Sequence, residues 1–247
     1  MLEKYIRRVY KPFHNRYYTR KIELSRTRSL YSEELEFKYP DLRDQHDNIE
    51  DQIKAIGLRI LEILSALTDS LDINFALAYG TMLGAVRHKG FIPWDDDIDI
   101  FMTRKDFNVL LQNCSDIPES LLFAPMDVGF FKVMDRSSII SKDQKRGVAV
   151  DVFIIEDHRK DQLSFYNVHT LRNLFFNRKD YNPLKSTPFE QLELKIPSNS
   201  DWILSELYGD YMKLPPKDQQ VSHHSDFNEV QIANFGEYLV NKNNLGN

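Results

Sequence analysis

Four carboxylates crowd into five positions in Asp95-Asp96-Asp97-Ile98-Asp99. Like charges this close repel and raise one another's proton affinity. A chain keeps them together most readily where a cation neutralises them. The segment runs on into Ile100-Phe101-Met102, so it reads as a core strand from Asp97 to Met102. Side chains alternate faces along a strand, which puts Asp97 and Asp99 on one side with Cα atoms about 6–7 Å apart. Ile98, Ile100 and Met102 take the other side. Two hard oxygen donors on one face suit magnesium, which binds through a few carboxylates, several waters and substrate phosphates. Asp96 is expected to point away and hold the turn, and Asp95 joins the pair only if the strand begins early. An acidic surface turn is the plainer reading of such a run, and the apolar strand behind it argues against that.

A third carboxylate is expected, because one pair rarely clamps a phosphoryl transfer. Asp151 interrupts the apolar run Val148-Ala149-Val150-Asp151-Val152-Phe153-Ile154-Ile155. A lone acid there is costly unless paired or metal-bound. Upstream, Gly80-Thr81 joins a buried strand to a helix, where a small residue lets phosphate oxygens approach the backbone N–H groups. Arg87, His88 and Lys89 lie between the two motifs. They read equally well as a phosphate-charge group or as a solvated basic turn. Lys132, in mid-strand, is placed to reach the same site. The pair His223-His224 sits in a polar stretch, where two histidines are more often neither ligands nor acid–base groups.

The elements that must position these groups follow from periodicity. Ile49, Ile53, Ile56, Ile60, Ile63, Leu64 and Leu67 recur at helical steps and predict an amphipathic scaffold helix of about five turns. Ile73 to Tyr79 reads as a central strand, Thr81 to His88 as a short helix, and Thr103 with Asp106 as a capping-box start for the next helix. Strands are expected at Phe130 to Met134 and Val148 to Ile155. A helix is expected at about 161–178. Leu192, Leu194 and Ile196 alternate with polar residues, as in an edge strand or an extended link. A last helix, Asp201 to Tyr208, ends at Gly209, which suits a left-handed cap.

The chain has 247 residues, 42% hydrophobic and 12% aromatic, enough for a sizeable core and against disorder. One cysteine, Cys114, excludes a disulfide framework and a multi-cysteine zinc site. There is no apolar run long enough to span a bilayer and no secretory h-region, so the expectation is a cytoplasmic protein. The net charge of −5 divides unevenly: residues 1–28 carry +7, with Tyr5, Tyr10, Phe13, Tyr17 and Tyr18 among the bases, and the remainder carries −12. Such an arm suits an anionic membrane surface, a nucleic acid, another subunit, or simple packing on the body. The acidic body opposes a broad nucleic-acid surface. The organisation read is a basic arm and connector (1–48), a catalytic domain (49–224) and a polar tail (225–247).

The run from Tyr79-Gly80-Thr81 through Arg87-His88-Lys89-Gly90 to Trp94-Asp95-Asp96-Asp97-Ile98-Asp99-Ile100 resembles the signature of the LicD family, similar to fukutin and fukutin-related proteins in the nucleotidyltransferase-fold superfamily. Gly147 to Phe153, Leu207 to Pro216 and the double histidine extend the resemblance. It implies an α+β fold: a mixed β-sheet flanked by helices, a single domain behind the N-terminal arm. It implies transfer of phosphocholine, or a related phosphoethanolamine or phospho-polyol, from a CDP-linked donor to a hydroxyl of a cell-surface glycan, with release of CMP. It also implies Asp97, Asp99 and Asp151 as catalytic and metal-binding residues for Mg²⁺, with Mn²⁺ as second choice. Gly80, Thr81, Arg87, Lys132 and Asp210 match donor-binding motif positions. The family's arginine before the double histidine is absent here, where Lys217-Asp218-Gln219-Gln220 stands. Peripheral attachment to the inner face of the membrane through residues 1–28 would bring such an enzyme to a lipid-linked acceptor. Two other classes share parts of the pattern: a nucleotidyltransferase moving NMP from NTP to a small molecule or RNA, and a non-catalytic membrane- or partner-binding protein.

Overall fold

Helices begin where the chain offers a cap and an apolar stripe. The computed structural model describes residues 29–127, 129–138, 147–167 and 172–220. The basic arm, the C-terminal tail and His223-His224 lie outside these residues. Ser29 accepts a hydrogen bond from the Ser32 amide at 3.1 Å and opens α1 (Leu30–Lys38). The mixed charge of this stretch reads as a connector, yet Ser32 and Leu35 are buried. Asn48 caps α2 (Ile49–Ser70), accepting from the Asp51 amide at 2.8 Å. The expected stripe is buried there, from Ile53 and Ile56 through Ile60 to Leu64 and Leu67.

Two buried arginines fasten the α1 region to the body. Arg43 donates to Asp135, itself 1% exposed, at 2.9 Å and pairs also with Asp41. Arg59 of α2 donates to Glu36 at 2.8 Å and to Ser120.

The sheet follows. Strand β1 (Phe75–Leu77) leads into α3 (Tyr79–His88), and β2 (Ile98–Thr103) into α4 (Arg104–Gln112). Thr103 accepts from the Asp106 amide at 3.2 Å, the expected cap. Then come β3 (Leu121–Asp127), β4 (Phe130–Asp135), β5 (Ala149–Arg159), β6 (Gln162–Asn167) and β7 (Arg172–Asn177). Spatial order is β1-β2-β5-β4-β3, with β6 beside the far half of β5 and β7 beyond it. Among the described residues only β2 and β5 run parallel; the other pairs are antiparallel. A short α5 (Arg178–Tyr181), a separate hairpin of β8 (Lys185–Phe189) and β9 (Leu192–Ile196), and α6 (Ser200–Tyr208) complete the described chain. The result is a single α+β domain with a mixed sheet flanked by helices.

Alternation along the strands gives the sheet two different faces. Ile98, Ile100, Met102, Val150, Val152 and Ile154 join the larger core with α2 and α4. Phe101, Phe153 and Ile155 face a smaller aromatic core with Tyr79, Phe165, Phe176 and Tyr181.

Two expectations need correction, and one open alternative is decided. Where a helix is expected at about 161–178, residues 162–167 and 172–177 form the antiparallel strands β6 and β7. Leu163, Tyr166, Leu171 and Leu174 happen to fall at helical spacing, but Leu163 and Phe165 are needed side by side in the aromatic core, opposite Phe176 and Leu174. Aromatic side chains pack well in that pleated setting. The alternating stretch at 192–196, open between an edge strand and an extended link, is a strand paired with β8. Gly209 has φ +66° but ψ −125°, so its positive φ turns the chain without forming a left-handed helical cap.

Candidate active site

The parallel register sets Asp99 of β2 directly opposite Asp151 of β5. The antiparallel register sets Asp151 opposite Lys132 of β4. Neighbouring strands lie about 4.8 Å apart, so three charged residues far apart in sequence form one row across the sheet. Lys132 Nζ donates to Asp151 Oδ1 at 2.5 Å and lies 5.5 Å from the Phe130 ring. Asp99 is buried, and its backbone is held from both sides: its amide donates to Thr81 Oγ1 at 2.8 Å, and its carbonyl accepts from the Ala78 amide at 2.9 Å. Thr81, read from sequence as phosphate-facing, is 3% exposed and spends its hydroxyl on fixing Asp99.

Asp97 precedes β2, at the end of a loop that folds back on α3. The Asp95 amide donates to the Ile92 carbonyl at 2.9 Å and turns the loop. Asp95 then reaches Gly80, where a Cβ would lie 2.8 Å from Asp95 Oδ2. Gly80 thus admits a carboxylate at the start of α3 in this structure. Asp95, Asp96 and Asp97 are all half-buried, and each offers an oxygen within 4.8 Å of the others. This corrects the expectation that Asp96 points away: the loop is not extended, so strand alternation does not apply to it. Asp99 and Asp151 stand outside that tight trio, on the sheet.

The electrostatics follow from this crowding. Burial, then the charge and hydrogen bond of Asp97 and the charge of Asp96, push the Asp95 carboxyl up to about 7. Burial, then Asp97, Asp151 and Asp95, raise Asp99 well above the usual carboxylate range, with Lys132 opposing. Hard oxygen donors that repel one another this strongly fit a divalent cation of the magnesium type.

Other expected site residues have varied settings. Arg87 is half-buried at the end of α3 and donates to the Tyr211 carbonyl at 2.7 Å, tying α3 to the turn after α6. Asp210, in that same turn, is exposed. Two tyrosines emerge outside the expected metal- and donor-binding set. Tyr208 ends α6, and burial of its hydroxyl end, then the charges of Asp99, Asp95 and Asp97, raise its phenol. Tyr79 opens α3 at φ +42°, its buried hydroxyl without a hydrogen-bond partner among the described residues. Burial and Asp99 likewise raise its phenol. A positive φ on a non-glycine residue is stored strain of the kind found at functional sites.

Comparison with known proteins bears on this arrangement. Residues 72–199 match the family model described as LicD/FKTN/FKRP, nucleotidyltransferase domain. The chain is similar to the lipopolysaccharide cholinephosphotransferase LicD of Haemophilus influenzae, at 26% identity over 69% of this chain and 94% of that protein. It is also similar to an uncharacterized protein of Rickettsia prowazekii, at 30% identity over 65% of this chain and 57% of that protein. The matched family segment holds the acidic loop and all three strands of the charged row, and on that match the chain belongs to the LicD/FKTN/FKRP nucleotidyltransferase-domain family.

Proposed function

We propose that this protein transfers a phospho-alcohol, phosphocholine or a related phosphoethanolamine or phospho-polyol, from a CDP-linked donor to a hydroxyl of a cell-surface glycan. The observation that carries the reading is the register that brings Asp99, Asp151 and Lys132 into one row beside the Asp95–Asp97 loop. The similarity to a lipopolysaccharide cholinephosphotransferase supports the choice of substrate class.

In this reading Asp97, Asp99 and Asp151 hold Mg²⁺, or Mn²⁺ in its place. The ion, when bound, neutralises the donor diphosphate and the developing charge on the leaving oxygen. The acceptor hydroxyl oxygen attacks the phosphorus that bears the alcohol, the bond from that phosphorus to the bridging oxygen breaks, and CMP departs with the electron pair. Asp99 or Asp151, whichever is not engaged with metal, takes the hydroxyl proton. Lys132 orients Asp151 through their ion pair and adds positive charge beside the diphosphate. Gly80, Thr81, Arg87 and Asp210 are assigned to the donor side, Thr81 through its grip on Asp99. Such chemistry is mainly positioning and charge neutralisation. The basic arm would hold the enzyme against an anionic membrane. Among the described residues no helix is long and apolar enough to cross a membrane.

The test is a panel of CDP-choline, CDP-ethanolamine, CDP-glycerol and CDP-ribitol, each scored for divalent-dependent CMP release with candidate glycans. Asp97→Asn is expected to cut turnover at least about a hundredfold while the protein stays folded by circular dichroism. Retained turnover would remove the metal assignment. The family description names a nucleotidyltransferase domain, which favours transfer of NMP from NTP as the second reading. Pyrophosphate release from NTPs, with no use of CDP-alcohols, would select it.

A further inference from the structure

We propose that Glu190 is a positioning residue that holds the acidic loop in place from the tip of the β8–β9 hairpin. The inference rests on the reading of that loop as part of the active centre. Four observations place Glu190 in this role. Its amide donates to the Lys89 carbonyl at 2.8 Å. Its carboxylate Oε1 accepts from the Phe91 amide at 2.9 Å. The Phe189 ring beside it meets the Phe91 ring edge-on, with centroids 5.0 Å apart. Gly90 makes the approach workable, since a Cβ there would lie 2.1 Å from Glu190 Oε1.

The hairpin is a firm base for such a clamp. Phe189, Leu194 and Ile196 are buried in the larger core. The loop it grips is short, and Asp95 follows Phe91 by four residues. The junction is also strained: Lys89 has φ +63° and Glu190 φ +51°. Such conformations persist where surrounding contacts over-determine them. The loop needs a restraint for a physical reason. Asp95, Asp96, Asp97 and Asp99 repel one another, and without a cation that repulsion works against the folded-back loop. A clamp on its upstream end keeps the donors gathered, which is preorganisation of a binding site by a residue that never touches the ligand.

The experiment compares full-length native protein with Glu190→Ala and Glu190→Gln. All three carry a Cβ at the same φ, so backbone strain cancels. Glutamine keeps an oxygen for the Phe91 amide and alanine does not. Hydrogen exchange of the amides in residues 89–97 is expected to speed up about tenfold in Glu190→Ala, the scale of losing one charge-assisted hydrogen bond. Glu190→Gln should stay within about twofold of native. Mn²⁺ alone, titrated by electron paramagnetic resonance, should bind several-fold more weakly to the alanine variant and near normally to the glutamine variant. Native exchange in Glu190→Ala would overturn the proposal, as would a glutamine variant that exchanges as fast as the alanine one. Asp97→Asn tests the reading of the site separately. If it binds Mn²⁺ as native does, the metal assignment falls while the exchange result still decides the clamp.

Discussion

At Asp95 the carboxyl keeps its proton up to about pH 7, because burial and the neighbouring Asp97 disfavour the charged form. An unfolded chain would release that proton near 3.8. Between these values the folded state binds more protons than the unfolded one, so this group's contribution to stability falls as pH rises from about 4 to about 7 and stays low above it. Metal-free protein is therefore expected to gain stability from Asp95→Asn at pH 8, by at least about 3 °C in Tm, and to gain little at pH 4. Saturating Mg²⁺ should erase the difference, since a cation relieves the same repulsion. Melting curves in chelator at the two pH values decide it; an equal shift at both would show that Asp95 is not under electrostatic load. The sequence displayed this load in the count of acids around Ile98. It did not display Asp95 and Asp96 as members of one trio, because a folded-back loop has no period to read. Glu190 was hidden for a related reason: it reaches the loop from a hairpin whose bonded partner, Phe91, lies 99 residues away in the chain.

Elements with an uninterrupted period were legible. Helix α2, strands β2 and β5, and the cap at Thr103 follow from spacing alone. The β6–β7 hairpin did not, since its apolar residues sit at helical intervals and only cross-strand pairing with the aromatic core distinguishes the two. Strand β3 carries Pro125 and no alternation, and it forms at a sheet edge, where proline is tolerated. Helix α1 shows little apolar pattern: Leu35 enters the larger core, and polar contacts add to its hold. Arg43, in the turn after it, is the main one, bonded to Asp135 at the end of β4. Asp135 is almost wholly buried. Arg43→Met would leave that carboxylate without its cation, at a cost of about 3 kcal/mol or more, or roughly 6–12 °C in Tm. Asp135→Asn in the same background should recover part of the loss. A melting temperature unchanged by Arg43→Met would show that the α1 region is held by its apolar contacts alone.

Over the whole molecule, charge divides between a basic arm and an acidic body. The trio and the charged row concentrate part of the body's negative charge at one site, which bound cations would offset. The arm's +7 has no such counterpart in the described site, and its aromatic residues suit the headgroup region of a bilayer. Deleting residues 1–28 is expected to reduce sedimentation with phosphatidylserine-containing liposomes by at least about tenfold at physiological salt, with turnover of a soluble acceptor unchanged. Equal sedimentation by the truncated protein would end the membrane assignment.

The pairing of Asp99 with Asp151 has one more consequence, for assembly. Strand β5 alternates strictly, with Asp151, Phe153 and Ile155 on the aromatic face and Val150, Val152 and Ile154 in the larger core. Slipping it by one residue would send every side chain to the opposite face. Asp151 would then sit among the aliphatic residues under α2 and α4, far from Lys132's grip. That is a penalty of several kcal/mol for an unpaired buried acid. The residues required for chemistry therefore proofread the pairing of the two strands that carry them. A copy of this protein that has closed its core has, by the same act, aligned its charged row. Folded but inactive protein would point to the loop, not the sheet.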